Sequence, residues 1–224
     1  MLFPSHDRGG GSGVSKGQAV TTAKFRDPSA WYHIVVNANY SDSTASDRVK
    51  VYVNGTQQTL TFNVAYTDEN GQINGAFEHE IGAVESSNSL FDGYMAEIHF
   101  TDGYNYDASY FGYTEQQTGI WRHKKVTGIT YGTNGFYLDF SDNSSITNMC
   151  LDKSGNGNHF SPNNCNVEDS TLDTPSNIFA TLNPLSTSVN TLTQGNLYST
   201  GGGGSWRPVS SDMAMSSGWS WLGN

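Results

Sequence analysis

Residues 31–55 read WYHIVVNANYSDSTASDRVKVYVNG, two apolar runs around a polar loop. In the second run Val49, Val51 and Val53 alternate with Arg48, Lys50 and Tyr52. Period two is the mark of a strand with one buried face and one wet face. In the first run Tyr32, Ile34, Val36 and Ala38 share a face, with Trp31, His33, Val35 and Asn37 opposite. The connector 39–47 is rich in Ser, Asp, Thr and Asn, which favour turns over ladders. The reading is an antiparallel hairpin. Asn54-Gly55 then makes a tight turn, because both residue types tolerate positive φ. A third strand from Thr56 to about Phe62 completes a meander.

Composition agrees with short strands and many turns. Over 224 residues, 35% are hydrophobic and only 14% charged, and Gly, Ser, Thr and Asn abound. No run of roughly 18 apolar residues occurs, so no membrane insertion is expected. The opening MLFPSHDRGGGSG has no basic stretch followed by an apolar core, so no secretory signal is expected. A formal charge of −10 argues against nucleic acid, whose phosphates would be repelled. Arg122, Lys124 and Lys125 form a small basic group that reads as a solvated loop. Cys150 and Cys165 could close a loop of about 15 residues or stand as free thiols. The stretch Gly9–Gly17 misses the phosphate-loop pattern and reads as a flexible connector.

Further along, AFEHEI (76–81) reads as a short strand with Glu78 and Glu80 on one side. A carboxylate pair on a strand is the apparatus of a glycoside hydrolase, and a polar outer face is the plainer alternative. FDGYMAEIHFTDG (91–103) reads as a strand with Tyr94, Ala96, Ile98 and Phe100 on one face and Met95, Glu97 and His99 on the other. Asp107 or Ser109 would cap a short helical turn after it. GFYLDF (135–140) is another strand, with Phe136, Leu138 and Phe140 on one side.

Two groups of residues carry candidate binding chemistry. Tyr104, Tyr106, Tyr110, Tyr113 and Trp121 crowd one region beside Asp102, Asn105 and Asp107. Flat rings stack on the apolar faces of sugars, and Asp or Asn bonds their hydroxyls. Asp102, Tyr104, Asn105, Tyr106 and Trp121 are therefore the candidate carbohydrate contacts; the alternative is that the rings cap the core. Asp139, Asp152, Asn156 and Asn158 offer oxygen ligands suited to calcium. The alternative is that SGNGN (154–158) is simply a turn.

FRDPSAWYHIVV (25–36), RVKVYVNG (48–55), HEIGA (79–83) and FDGYMAEIHFTDG (91–103), in this order and spacing, resemble the laminin-G-like jellyroll of the concanavalin A-like lectin/glucanase superfamily. The likeness is to the version found in phage and marine-virus tail-fibre or virion proteins. Gly93, Met95 or Ala96, Glu97 and Ile98 match its late strand approximately. DKSGNGNHF (152–160) resembles the opening of many such modules, DTPSNIFATLNPL (173–185) a connector of these viral proteins, and SWRPVSSDMAMSSGW (205–219) the first strands of a SPRY-type sandwich.

The resemblance implies an all-β, antiparallel two-sheet sandwich of jellyroll type, incomplete, with a loop-rich β C-terminal segment. It divides the chain into a glycine-rich segment (1–23), a partial laminin-G-like sandwich (24–125), a second opening segment with connector (126–185) and the start of a SPRY-like segment (186–224). It implies a non-enzymatic virion adhesion module in a tail fibre or appendage. Its partners would be host surface glycans and other virion subunits, in a homo-oligomer, and calcium would be its cofactor if any. The alternatives are a hydrolase using Glu78 and Glu80 or Glu97, and a spacer without ligand.

Overall fold

The fold was taken from a computed structural model, which describes residues 2–6, 15–27, 30–66, 74, 79–83, 90–171, 191–193 and 198–200. Among these the chain is built of short antiparallel strands with very little helix. In order they are β1 (Leu2–His6), β2 (Ser15–Thr21), β3 (Ile34–Ala38), β4 (Val49–Val53), β5 (Thr56–Gln57) and β6 (Leu60–Val64). Then follow β7 (Ile98–Phe100), β8 (Gly112–Thr114), β9 (Trp121–His123), β10 (Phe136–Leu138), the one-turn helix α1 (Ile146–Met149), β11 (Thr191–Thr193) and β12 (Tyr198–Thr200).

The quoted hairpin forms as its pattern requires. β3 pairs antiparallel with β4 in the register Ile34–Val53, Val36–Val51 and Ala38–Val49. Directly opposed residues lie on one face, so the two alternations reinforce each other. Val49, Val51 and Val53 are buried, Val51 completely. Ile34 and Val36 stand on that same face yet remain 41% and 46% exposed. The reason is position: β3 is an edge strand of the sheet β3-β4-β5, and less of the opposite layer covers an edge. Asn54 (φ +48) and Gly55 (φ +75) make the left-handed turn into β5.

The third strand of the meander is split between two sheets. β5 stays on β4 for two residue pairs. The chain then crosses over, and β6 pairs with β2 in a second sheet of order β1-β2-β6. The two three-stranded sheets share one core. Ala19 and Tyr66 are buried with the three valines, and Leu60, Phe62, Tyr32, Tyr40, Phe25 and Ala38 pack around them.

This pairing corrects one boundary. Residues 15–17 were expected in a flexible connector, but they open β2, and Gly17 and Ala19 are buried. Glycine is required at 17, where a Cβ would stand 2.1 Å from the Tyr66 ring. A division at 23/24 therefore cuts through a sheet. The division at 125/126 does likewise, because β10 pairs with β7 across it.

The 91–103 segment is a strand only at its end. Glu97 takes φ +53, a left-handed conformation that breaks the ladder for a residue with a side chain. β7 begins just after it. Likewise Phe140 at φ +54 ends the 135–140 strand early. Residues 75–78 lie outside the described residues, Glu78 among them, and 79–81 are not strand. Residues 172–190 and 201–224, which carry the connector and SPRY-like motifs, lie outside them as well. Cys150 and Cys165 are free thiols.

Candidate functional site

Three local structures meet around residues 102–134. The first is a one-turn 3-10 helix, Ala108–Tyr110, capped by Asp107, whose carboxylate accepts from the Ser109 amide at 2.8 Å and from its hydroxyl. The turn lifts Tyr110 beside Tyr106, their ring centroids 4.7 Å apart. Tyr106 is in turn near-parallel to Tyr104, at 6.3 Å and 13°. Parallel rings in full contact would lie closer, so these are offset and each keeps part of a face open. Tyr104 is 47% and Tyr110 41% exposed. The result is a stripe of three phenol rings, with Asn105 exposed between the first two.

The second structure is the loop 129–134. Its Thr130 amide donates to the Tyr106 hydroxyl at 2.8 Å. Asp102 fastens the same loop two ways and ties Asn74 to it with a third bond. Its own amide donates to the Tyr131 carbonyl at 2.7 Å, its carboxylate accepts from the Asn134 amide at 3.1 Å, and the other oxygen accepts from Asn74 Nδ2 at 2.7 Å. Residues 129–133, with Ser154 and Asn156, line an open concavity of about 630 Å³ beside the stripe.

The third structure is the loop 152–158, which clamps the second. Asn156 Nδ2 donates to the carbonyls of Gly132 and Gly135 at 2.6 and 2.8 Å. Asn158 Nδ2 donates to those of Thr133 and Gly135 at 3.0 and 2.9 Å. Asp152, 7% exposed, accepts from the amides of Tyr137, Ser154 and Asn158 and from the Ser154 hydroxyl. Burial would push its carboxyl up, but these donors outweigh it and hold the group below the usual range. Gly155 (φ +96) and Gly157 (φ +78) supply the bends.

Calcium does not suit this arrangement. A cation needs lone pairs, whereas here N–H and O–H groups already fill the Asp152 oxygens, and both asparagines turn their NH₂ groups inward. Asp139 accepts instead from Ser141. Among the described residues no group of three His, Cys, Asp or Glu side chains could hold a metal. SGNGN is thus more than a turn: it is a hydrogen-bonded clamp on the wall of the concavity.

Of the five candidate carbohydrate contacts, Asp102, Tyr104, Asn105 and Tyr106 come together. Trp121 does not join them. Its indole packs against Gly55, where a Cβ would stand 2.2 Å away, and against Gly112. The His33 ring lies 5.6 Å from it. His33 Nδ1 and Trp121 Nε1 are both buried with no hydrogen-bond partner among the described residues. Tyr131, not singled out from sequence, lines the concavity. A signal was present, because Gly128 and Gly132 bracket it at positive φ and mark GITYG as a loop that presents a tyrosine.

Behind the wall lies a stack of rings. His99 lies flat on Tyr137 at 4.2 Å and 6°, and its Nδ1 is 2.8 Å from the Tyr131 hydroxyl. Burial, then the neighbouring His33, pushes His99 down to about 4. Burial, then Asp152 and Glu97, pushes the Tyr131 phenol up to about 12. Glu97 accepts the Tyr137 hydroxyl and stands 3.9 Å from His99 Nε2. Its partners among the described residues are thus a phenol and an imidazole.

Comparison of the chain with protein-family models, curated proteins and solved structures returns no match. Among the described residues no helix is long and apolar enough to cross a membrane.

Proposed function

We propose that the chain is a non-enzymatic glycan-binding module, in which the stripe Tyr104–Tyr106–Tyr110 stacks on sugar rings and the 129–133 concavity receives their hydroxyls. The observation that carries this reading is the pair of offset, near-parallel rings, exposed Tyr104 and half-buried Tyr106, beside a polar hollow. Half-open aromatic faces with a few placed polar groups are the ordinary chemistry of sugar recognition. The finer assignment, a laminin-G-like jellyroll of a virion tail fibre or appendage, rests on the sequence resemblance. On that assignment a weak single site gains strength from many copies on one particle.

The test is a glycan array probed with the wild-type chain and Tyr104→Ala, with and without a chelator. Binding is expected to fall at least tenfold in the variant, and the chelator to have no effect. Retention on no glycan would leave a spacer, and release of shortened oligosaccharides would make the chain a hydrolase.

A further inference from the structure

We propose that the tyrosine stripe selects neutral oligosaccharides and turns away acidic ones, a selectivity that rests on the glycan-binding reading above. Acidic sugars carry carboxylate or sulfate groups. Proteins hold such groups with Arg or Lys, often in bidentate pairs. Among the described residues neither type lines the concavity, whose walls are residues 129–133, Ser154 and Asn156. The charged side chains at the stripe itself are carboxylates. Asp102 lies at one end, fastened to Asn134. Asp107 lies between Tyr106 and Tyr110, fastened to Ser109.

Burial first, then the Asp152 and Glu97 carboxylates, oppose ionisation of the Tyr131 phenol, so the charges felt behind the wall are negative as well. Arg122 pairs with Glu115 at 3.5 Å on the β8–β9 hairpin, Lys124 and Lys125 stand exposed just past that hairpin and outside the lining of the concavity, and Lys153 acts on Asp142. The chain as a whole carries −10, so long-range attraction cannot rescue an anionic ligand. Neutral sugars lose nothing here. Their hydroxyls donate to carboxylates and carbonyls, and their ring faces stack on the phenols.

The experiment measures binding of two probes to the full chain, cellohexaose and hexagalacturonate, at 20 and 300 mM salt. Cellohexaose is expected to bind, and Tyr104→Ala to weaken it. Hexagalacturonate is expected to bind at least tenfold more weakly at low salt. Screening at 300 mM, where the Debye length falls to about half of its value near 0.1 M, narrows that gap. Asp107→Asn, which keeps a capping oxygen, narrows it at low salt as well. Hexagalacturonate binding as tight as cellohexaose at low salt would overturn the selectivity and leave glycan binding standing, and so would a gap indifferent to salt and to Asp107→Asn. Failure of both probes on the wild-type chain would overturn the glycan reading and this one with it.

Discussion

Gly55 shows how much can depend on a missing atom. It holds φ +75, and a Cβ there would overlap the Trp121 ring at 2.2 Å. Gly103 holds nearly the same conformation, φ +76, and among the described residues nothing would lie within 4 Å of a Cβ there. The pair separates two costs. Gly103→Ala pays only for the left-handed backbone, about 1 kcal/mol. Gly55→Ala adds overpacking against an indole, a further 1–3 kcal/mol or about that. Urea titration of the two variants should therefore show Gly55→Ala as the more damaging by at least 1 kcal/mol, in line with that overpacking range. Equal midpoints would mean that Trp121 does not rest on this turn. The turn itself was legible in Asn54-Gly55, because positive φ is a local property. The indole above it was not: Trp121 lies far along the chain, and no local pattern distinguishes a ring on a glycine from a ring facing a ligand.

At the scale of elements, local pattern succeeded where one face of a strand is buried and failed where a loop does the work. The valine alternation placed β4 correctly, and Asp107 capped its turn as read. The 91–103 strand was over-extended because hydrophobic alternation continues through Glu97 while the backbone does not. DKSGNGNHF announced a special loop through its glycines, yet its purpose depends on carbonyls at 132–135, more than 20 residues earlier. Asn158→Ala removes the amide group that reaches Thr133 and Gly135 and leaves Asn156 on Gly135. It should cost about 1–2 kcal/mol and speed amide exchange across 130–135, while wild-type stability stays indifferent to added calcium. Stabilisation by calcium would restore the metal reading of Asp152, Asn156 and Asn158. Unchanged exchange would show that the clamp does not hold the wall.

Over the whole molecule, β3, β7 and the β8–β9 hairpin are linked by histidines set among aromatic rings. His33 leads into β3, His99 sits in β7 and His123 ends β9. Phe111 lies between the first two, at 6.3 and 5.5 Å from their rings. The sequence gives each histidine an unremarkable place on a strand face, and only the tertiary fold brings them together. Burial, then His123, pushes His33 below its usual value. Burial, then His33, carries His99 down to about 4. Glu97, 3.9 Å from His99 Nε2, pulls the other way and does not prevail, because its carboxylate is 48% exposed while the imidazole is 8% exposed. The sign follows from linkage. An unfolded chain takes up protons on His33 and His99 near pH 6.5, whereas in the folded chain His33 resists to lower pH and His99 until about pH 4. The stability they confer is complete above pH 6.5 and is lost as pH falls toward 4. Asp152, held below the usual carboxylate range, adds a loss that begins only below about pH 4. Acid should therefore weaken the chain in two stages, the first well above the carboxylate range. A urea midpoint followed from pH 7.5 to 3 should decline already between 6.5 and 5, and His99→Gln, which keeps a polar group facing the Tyr131 hydroxyl, should flatten that first stage. A wild-type midpoint constant from pH 7 to 5 would show that these rings do not carry the first stage of acid loss.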